Sequence, residues 1–317
     1  MDRKARRRLL ASFLFTASLL VGAVSAWSSK DSSRMYTLCR LKPVDHSGSH
    51  VPSLVDPRTR YQERVILPDK GFPGLHRNWD PPIDSGEESY ISSGRFKGRK
   101  TLITGGDSGV GRAVAIAHAR EGADVTISYL PEEQPDADKV KALVEAEGVR
   151  FFAMSGNLRN ETFCTCLVHQ AHEAMGGLDI LVSNAGYWTF EDNVFASFYL
   201  VRAPAPLLPP GFSIIFTPRA RRGGLTAALV SMAQALVLQL GPQGIRVNAV
   251  APGPTATNFL TSHGLTTENA DTIVSQLPLG RIAQPAEIAP AYVMLVEGSG
   301  SQSIASAYGI NGGSLSF

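Results

Sequence analysis

The stretch Thr104-Gly105-Gly106-Asp107-Ser108-Gly109-Val110-Gly111 decides the fold of this chain. A short β-prone run precedes it and an alanine-rich, helix-prone run follows it, so the pattern predicts a strand, a glycine turn and a helix. In such a turn Gly105 allows the tight bend, Gly109 lets the backbone approach a pyrophosphate, and Gly111 lets the helix pack on the strand. The phosphates then lie at the positive N-terminus of the helix.

A second β-prone run, Asp124-Val125-Thr126-Ile127-Ser128-Tyr129, follows at the distance expected for a βαβ unit. Glycine turns alone are weak evidence, and plain turn formation stays the alternative for each of these loops. Three more motifs follow in chain order: Leu178-Asp179-Ile180-Leu181-Val182-Ser183-Asn184-Ala185-Gly186, Gly244-Ile245-Arg246-Val247-Asn248-Ala249-Val250-Ala251-Pro252-Gly253 and Tyr308-Gly309-Ile310-Asn311-Gly312-Gly313.

These four motifs, the first with the spacing Thr-Gly-x-x-x-Gly-x-Gly, resemble those of the short-chain dehydrogenase/reductase family. The resemblance implies an α/β fold, a Rossmann-like doubly wound parallel sheet, in a single dinucleotide-binding domain over residues 91–317. The preceding run Gly86-Glu87-Glu88-Ser89-Tyr90 is similar to the N-terminal arm of bacterial and fungal general-stress reductases. Residues 27–90 are rich in Ser, Pro, Asp and Arg and have no sustained apolar period, so they are predicted to be a low-structure arm or linker.

The resemblance also implies which residues bind the dinucleotide. The pyrophosphate turn would supply Gly105, Asp107, Ser108, Gly109, Val110 and Gly111; the adenosine side would be lined by Asn157, Asn184, Ala185 and Gly186; and the nicotinamide side would be flanked by Pro252 and Gly253, with Thr255 and Thr257 as candidates for its amide or the phosphates. No metal site is expected.

The tip of the second strand favours NADP(H) over NAD(H) as the cofactor. An acid at this position binds the ribose 2′-hydroxyl and repels a 2′-phosphate. The tip is Ser128-Tyr129, without an acid, and Glu132 lies beyond Pro131 and is expected to be off the strand.

The catalytic pair of the family is missing from the sequence. The resemblance implies a Tyr that transfers the hydroxyl proton, a Lys four residues later on the same helix face, a Ser that orients the substrate and an Asn that supports a water relay. The last Lys is Lys141, so no later Tyr has the partner. The chain looks shortened near residues 187–192 and 218–225, and Asn193 is the one retained catalytic candidate, with a structural asparagine as the alternative.

Three functions follow from these observations. The resemblance implies an NAD(P)(H)-dependent oxidoreductase that transfers hydride between the cofactor and a small carbonyl or alcohol, inactive in the sequence as written. The first alternative is a non-catalytic dinucleotide-binding protein, and the second is an incomplete or non-functional gene product. Homo-oligomers are a family expectation.

Composition and charge restrict the remaining classes. The 317 residues are 44% hydrophobic and 18% charged, which is typical of a globular protein. Five basic residues and one acid lie in the first eight positions, so the rest of the chain has a slight excess of acid and no basic face for nucleic acid is expected. The apolar run 9–26 behind them predicts a secretory signal, with a membrane anchor, or a cytosolic start at Met35, as alternatives.

Overall fold

The computed structural model describes residues 56–61, 68, 74–187, 189–203, 208–218, 224–262 and 266–313. The signal or anchor predicted for residues 1–26 lies outside the described residues, as do residues 27–55 of the predicted arm and residues 219–223 of the second shortened segment.

Within the described residues, seven strands form one parallel sheet in the order β3-β2-β1-β4-β5-β6-β7. The strands are β1 Lys100–Thr104, β2 Asp124–Tyr129, β3 Phe151–Ser155, β4 Ile180–Ser183, β5 Ser213–Phe216, β6 Arg246–Pro252 and β7 Ala307–Ile310. The strand order reverses direction at β1, which confirms the predicted doubly wound α/β fold.

Helices connect these strands. They are α1 Gly109–Arg120, α2 Gln134–Ala146, α3 Glu161–Met175, α4 Ala196–Arg202, α5 Gly224–Leu240, α6 Asn258–Ser262, α7 Thr267–Ser275 and α8 Pro285–Val296. A single π-helical turn, Glu191–Phe195, leads into α4.

The sheet is apolar on both faces because helices cover both. Successive side chains of a strand point to opposite faces, and the buried residues accordingly divide into two clusters. The first contains α1, α2 and α8, and the second contains α3, α4 and α5. The first cluster takes Ile103, Val182 and Ile215 from the central strands, and the second takes their neighbours Leu102, Leu181 and Ile214.

The described part of the arm nearest the domain, residues 74–98, contains one short 3-10 turn, His76–Asn78, and is otherwise irregular. Its inner end is held by Glu121, whose fully buried carboxylate accepts hydrogen bonds from Tyr90 Oη (2.7 Å), Arg95 Nη2 (2.6 Å) and the Ser93 and Arg95 N–H groups. Burial alone raises the pKa of Glu121, but these hydrogen bonds, that of Arg95 foremost, lower it to about 2. The arm is thus tied to the end of α1.

The helix α5 has an unusually exposed apolar surface. The stretch Gly224–Gln243 is long and apolar enough to cross a membrane by length and composition, a test that core helices of soluble proteins also pass. Only 17% of this apolar stretch is buried, and the Leu238 side chain is 80% exposed. The helix nevertheless packs on β6 and β5 as part of the fold.

Candidate functional site

The candidate site lies at the carboxyl ends of β1 and β4, where the strand order reverses. In open α/β sheets this switch point forms a crevice that receives ligands. The turn after β1 and the segment Asn184–Gly186 after β4 meet there, and the segment after β6 lies against the same turn. The structure therefore brings together most of the predicted dinucleotide-binding residues.

The glycine turn leaves little room for side chains, and Gly111 and Gly105 illustrate this most directly. A Cβ on Gly111 would lie 1.9 Å from Gly105 O and 2.6 Å from Asn184 Nδ2. Gly105 has φ +61°, a backbone conformation that side chains disfavour, and a Cβ there would be 3.1 Å from Ala185 Cα. The turn consequently depends on glycine in the way that the sequence predicted.

The amino end of α1 presents backbone N–H groups at this turn. Ser108 precedes the helix without a capping hydrogen bond from its side chain, and the first helical hydrogen bond runs from Arg112 N to Ser108 O (3.0 Å). The N–H groups of Gly109 to Gly111 precede that bond and lack intrahelical acceptors. Such a helix end favours a phosphate.

Asn184 joins β4 to the glycine turn. Its side-chain Nδ2 donates to Thr104 O (3.1 Å) and Gly105 O (3.3 Å), while its own N–H and that of Ala185 donate to Thr104 Oγ1 (3.0 Å each). Asn184, Ala185 and Gly186 are half-buried at the crevice. They fit the wall of an adenosine site, and Asn184 also fixes the shape of the turn.

The segment after β6 supplies the opposite wall. A Cβ on Gly253 would lie 2.6 Å from Asn311 Cα, so glycine is required where β6 and β7 end together. Thr255 Oγ1 donates to Gly253 O (2.9 Å), and Thr257 Oγ1 donates to Thr255 O (3.2 Å). Both hydroxyl hydrogens are therefore used within the segment, and the lone pairs of the two oxygens remain as acceptors.

Three predicted residues have environments that the sequence did not indicate. Asp107 is 1% exposed, and burial, with Glu133 nearby, raises the pKa of its carboxyl well above the usual range. The Val110 side chain packs in the first core cluster, so only its backbone faces the turn. Asn157 follows β3, is exposed, and accepts a hydrogen bond from Arg159 N–H (2.9 Å).

The acids beyond β2 lie off the strand, as expected for Glu132. The strand ends at Tyr129, and Pro131–Glu133 form a separate 3-10 turn with Glu132 exposed. The neighbouring Glu133 accepts a hydrogen bond from Leu130 N–H (2.9 Å), and burial raises its pKa to about 7. The sequence did not single out Glu133, because its burial depends on the fold of this turn.

The side chain of Asn193, the one retained catalytic candidate, is hydrogen-bonded to the loop after β4. It lies in the π-helical turn, 6% exposed, and its Nδ2 donates to Tyr187 O and Thr189 O, both at 2.6 Å. An amide nitrogen has two hydrogens, so both are used. This geometry corresponds to the structural alternative for Asn193.

Thr217 lies just after β5, ahead of the segment in which the resemblance places a substrate-orienting Ser. Its Oγ1 lies 2.8 Å from the hydroxyl of Tyr292 on α8. Tyr292 is fully buried, and burial raises its pKa well above the usual range, the opposite of what a proton-transferring tyrosine needs. Among the described residues, no three His, Cys, Asp or Glu side chains are arranged to hold a metal ion.

Comparisons with known proteins identify the family. The model of short chain dehydrogenases matches residues 99–203, and that of enoyl-(acyl carrier protein) reductases matches residues 189–314. The protein named Uncharacterized oxidoreductase YhxD of Bacillus subtilis is 45% identical over 270 residues, covering 76% of this chain and 90% of the relative. This chain belongs to the short-chain dehydrogenase/reductase family. Uncharacterized oxidoreductase YghA of Escherichia coli is 42% identical over 82% of this chain and 98% of its own.

Solved structures of short-chain dehydrogenases share the fold. A short chain dehydrogenase from Burkholderia cenocepacia in complex with NADP has a TM-score of 0.64 and 30% identity, covering 69% of this chain and 98% of its own. A 7α-hydroxysteroid dehydrogenase complexed with NADH has the same TM-score at 26% identity, covering 71% and 97%. The chain thus has the fold of oxidoreductases that use nicotinamide dinucleotides.

Proposed function

We propose that this short-chain dehydrogenase/reductase chain binds NADP(H) at the turn after β1 and, as its sequence stands, does not transfer hydride to a carbonyl. The observation that carries the binding proposal is the glycine turn, in which a Cβ at Gly111 would overlap Gly105 O at 1.9 Å. The adjacent helix end, with its N–H groups ahead of the first helical bond, is the complementary donor set for a pyrophosphate. A bound dinucleotide would supply hydride.

The proposal of no turnover is supported by the absence of a proton donor and its partner. No Lys follows Lys141 in the sequence, and the fully buried Tyr292 cannot meet a substrate. The alignment with YhxD extends over 270 residues although it covers 76% of this 317-residue chain, so the relative is longer within the aligned region. A carbonyl bound here would lack the Tyr and Lys pair through which this family completes the reduction.

The proposed preference for NADP(H) over NAD(H) has a physical basis at the tip of β2. Ser128 and Tyr129 bring no carboxylate there. Burial raises the pKa of Asp107 well above its usual range and that of Glu133 to about 7, so the negative charge of both carboxyls is reduced relative to exposed acids. A 2′-phosphate would then meet little repulsion.

A homo-oligomer is proposed through the exposed face of α5. The resemblance implies that this helix and its neighbour pair with a second copy. Within Gly224–Leu240, four residues of seventeen are buried, and Phe195 and Phe198, beside α4 and on it, are 47% and 44% exposed. Exposed apolar patches of this kind mark interaction surfaces.

The test is a titration of the purified chain with NADPH, followed by the change in protein fluorescence. Gly109→Asp places a side chain and a negative charge where φ is +51° and Thr257 Cγ2 would be 2.9 Å from the new Cβ, so we expect binding to be lost. Gly148→Asp is the matched control, because it adds the same charge at φ +77° with open space around it, in the loop before β3.

The second arm of the experiment measures NADPH oxidation with a panel of small aldehydes and ketones. We expect wild type and Gly109→Asp to give the same background rate. Carbonyl-dependent oxidation by wild type alone would overturn the proposal of no turnover, and absence of NADPH and NADH binding by wild type would overturn the binding proposal.

A further inference from the structure

A third apolar cluster lies apart from the two that cover the sheet. It joins two residues of the arm to the segment that follows β6. Its buried members are Trp79, Ile83, Ala256, Ala270, Leu277 and Ile282. Trp79 is 4% exposed, so this large side chain is almost completely buried in the cluster.

Two hydrogen bonds also connect the arm to Asn258. Trp79 Nε1 donates to Asn258 Oδ1 at 2.7 Å in a buried position, and Asn258 Nδ2 donates to the carbonyl of Gly74. Both ends of the Asn258 amide are therefore bound to the arm. The helix α6 that begins at Asn258 has five residues, too few to be stable without tertiary contacts. The arm consequently fixes where α6 begins.

The residue before Asn258 lies against the glycine turn. A Cβ on Gly109 would be 2.9 Å from Thr257 Cγ2, and Ala256 between the two threonines is fully buried. The segment Thr255–Asn258 is thus held between the arm on one side and the turn of the dinucleotide site on the other. Thr255 also pairs with Ala283 as an isolated bridge, which anchors the opposite end of the segment.

We infer that Trp79 is a positioning residue of the dinucleotide site. Through Asn258 it holds the segment Thr255–Asn258 against the glycine turn, and so sets the wall that receives the nicotinamide half of the ligand. This inference rests on the proposed binding function. The adenosine half depends on β1, β2 and β4, which Trp79 does not touch, so the two halves of the ligand respond differently to a change at this residue.

The test compares Trp79→Phe with Tyr90→Phe. Trp79→Phe removes the indole N–H at the Asn258 contact together with part of the indole ring, whereas Tyr90→Phe removes only the hydroxyl at Glu121. Loss of one such hydrogen bond weakens a dependent equilibrium by about three- to tenfold. We expect Trp79→Phe to weaken NADPH binding by that factor and 2′,5′-ADP binding, which reports the adenosine half, by less than about twofold.

Hydrogen exchange on the ligand-free protein gives a second readout that needs no cofactor. Trp79→Phe should lower amide protection over residues 256–262 and leave α1 unchanged, whereas Tyr90→Phe should lower protection near Glu121 and leave NADPH affinity unchanged. Equal losses for NADPH and 2′,5′-ADP, or unchanged affinity for both, would refute the inference while the binding function stands. If wild type binds neither NADPH nor NADH, the proposed function fails and the inference fails with it.

Discussion

The half of the molecule around the glycine turn buries a larger share of its helix residues than the half around β4, α4 and α5. The helix α1 buries eleven of its twelve residues, whereas α5 buries four of its seventeen. The arm adds a charged anchor and an apolar cluster to the first half. In the second half α4 has seven residues, and the described connection from β4 is held by Asn193.

The difference lies in how tightly the two halves are packed. Close packing at Gly105 and Gly111 leaves little room for substitution at the turn after β1. The substrate half lacks the catalytic pair and has an exposed apolar helix face. In the proposed function, binding depends on the first half, and the missing turnover reflects the second.

The largest expected effect is the loss of the anchor of the arm. Glu121→Ala removes four hydrogen bonds to a buried carboxylate, while Arg95 keeps its ion pair with Glu297, so we expect a loss of about 3 to 5 kcal/mol in the free energy of unfolding. Glu161→Ala, which removes an exposed ion pair with Arg202 in the other half, should cost about 1 kcal/mol or less. Urea unfolding of both variants measures the two losses, and equal losses in the free energy of unfolding would contradict the difference between the two halves.

The next effect is a pH dependence confined to the first half. Burial lowers the pKa of His118 on α1 and of His76 in the arm to about 3. The unfolded state then binds protons below pH 6.5 that these folded histidines do not, so the contribution of each histidine to stability falls as pH drops from 6.5 toward 3, by up to about 1.4 kcal/mol per pH unit. The raised pKa values of Asp107 and Glu133 contribute in the opposite direction, so the histidine contribution is read from the difference between wild type and a histidine variant.

Urea unfolding between pH 5 and 7.5 tests this dependence. His118→Asn can keep the hydrogen bond to Thr101, and it should reduce the slope of the free energy of unfolding against pH by the contribution of one proton. His169→Asn, at an exposed position, is the control and should leave the slope unchanged. An unchanged slope in His118→Asn would mean that the imidazole is protonated in the folded state.

A smaller effect separates a structural Asn193 from a catalytic one. Asn193→Ala removes two hydrogen bonds to the loop after β4, so we expect a loss of about 1 to 3 kcal/mol in the free energy of unfolding, with the background rate of NADPH oxidation unchanged. Thermal unfolding and the carbonyl panel provide the two measurements. A fall in a carbonyl-dependent rate without loss of stability would restore Asn193 as a catalytic residue.

The smallest effect on folding is expected at the exposed face of α5. Leu238→Lys changes a side chain that is 80% exposed, so the free energy of unfolding of the monomer should change by less than about 0.5 kcal/mol. Self-association measured by sedimentation should nevertheless weaken. Ile91→Lys, at an arm residue that is 89% exposed, is the control and should leave association unchanged. Equal behaviour of the two variants would argue against a subunit interface on α5.

The sequence predicted the parallel sheet and the glycine turn because the motifs that indicate them are local. Strand, turn and helix follow one another within about twenty residues around Gly105, and their glycine spacing has one physical explanation. Trp79 contacts Asn258 across 179 residues of sequence, and Thr217 contacts Tyr292 across 75. No local sequence pattern predicts either contact. The roles of Asn193 and Glu133 likewise needed the fold, because burial and partners decide them.

The distance along the chain between Trp79 and Asn258 has a consequence for synthesis. Tyr90 finds Glu121 only 31 residues later, so the inner end of the arm attaches while the chain is short. Trp79 can contact Asn258 only after the ribosome has added the 179 residues that follow Trp79, which takes roughly 10 to 35 s at about 5 to 20 residues per second. During that interval the indole of Trp79 is an exposed apolar group on a nascent chain, and a chaperone has its best opportunity to bind it.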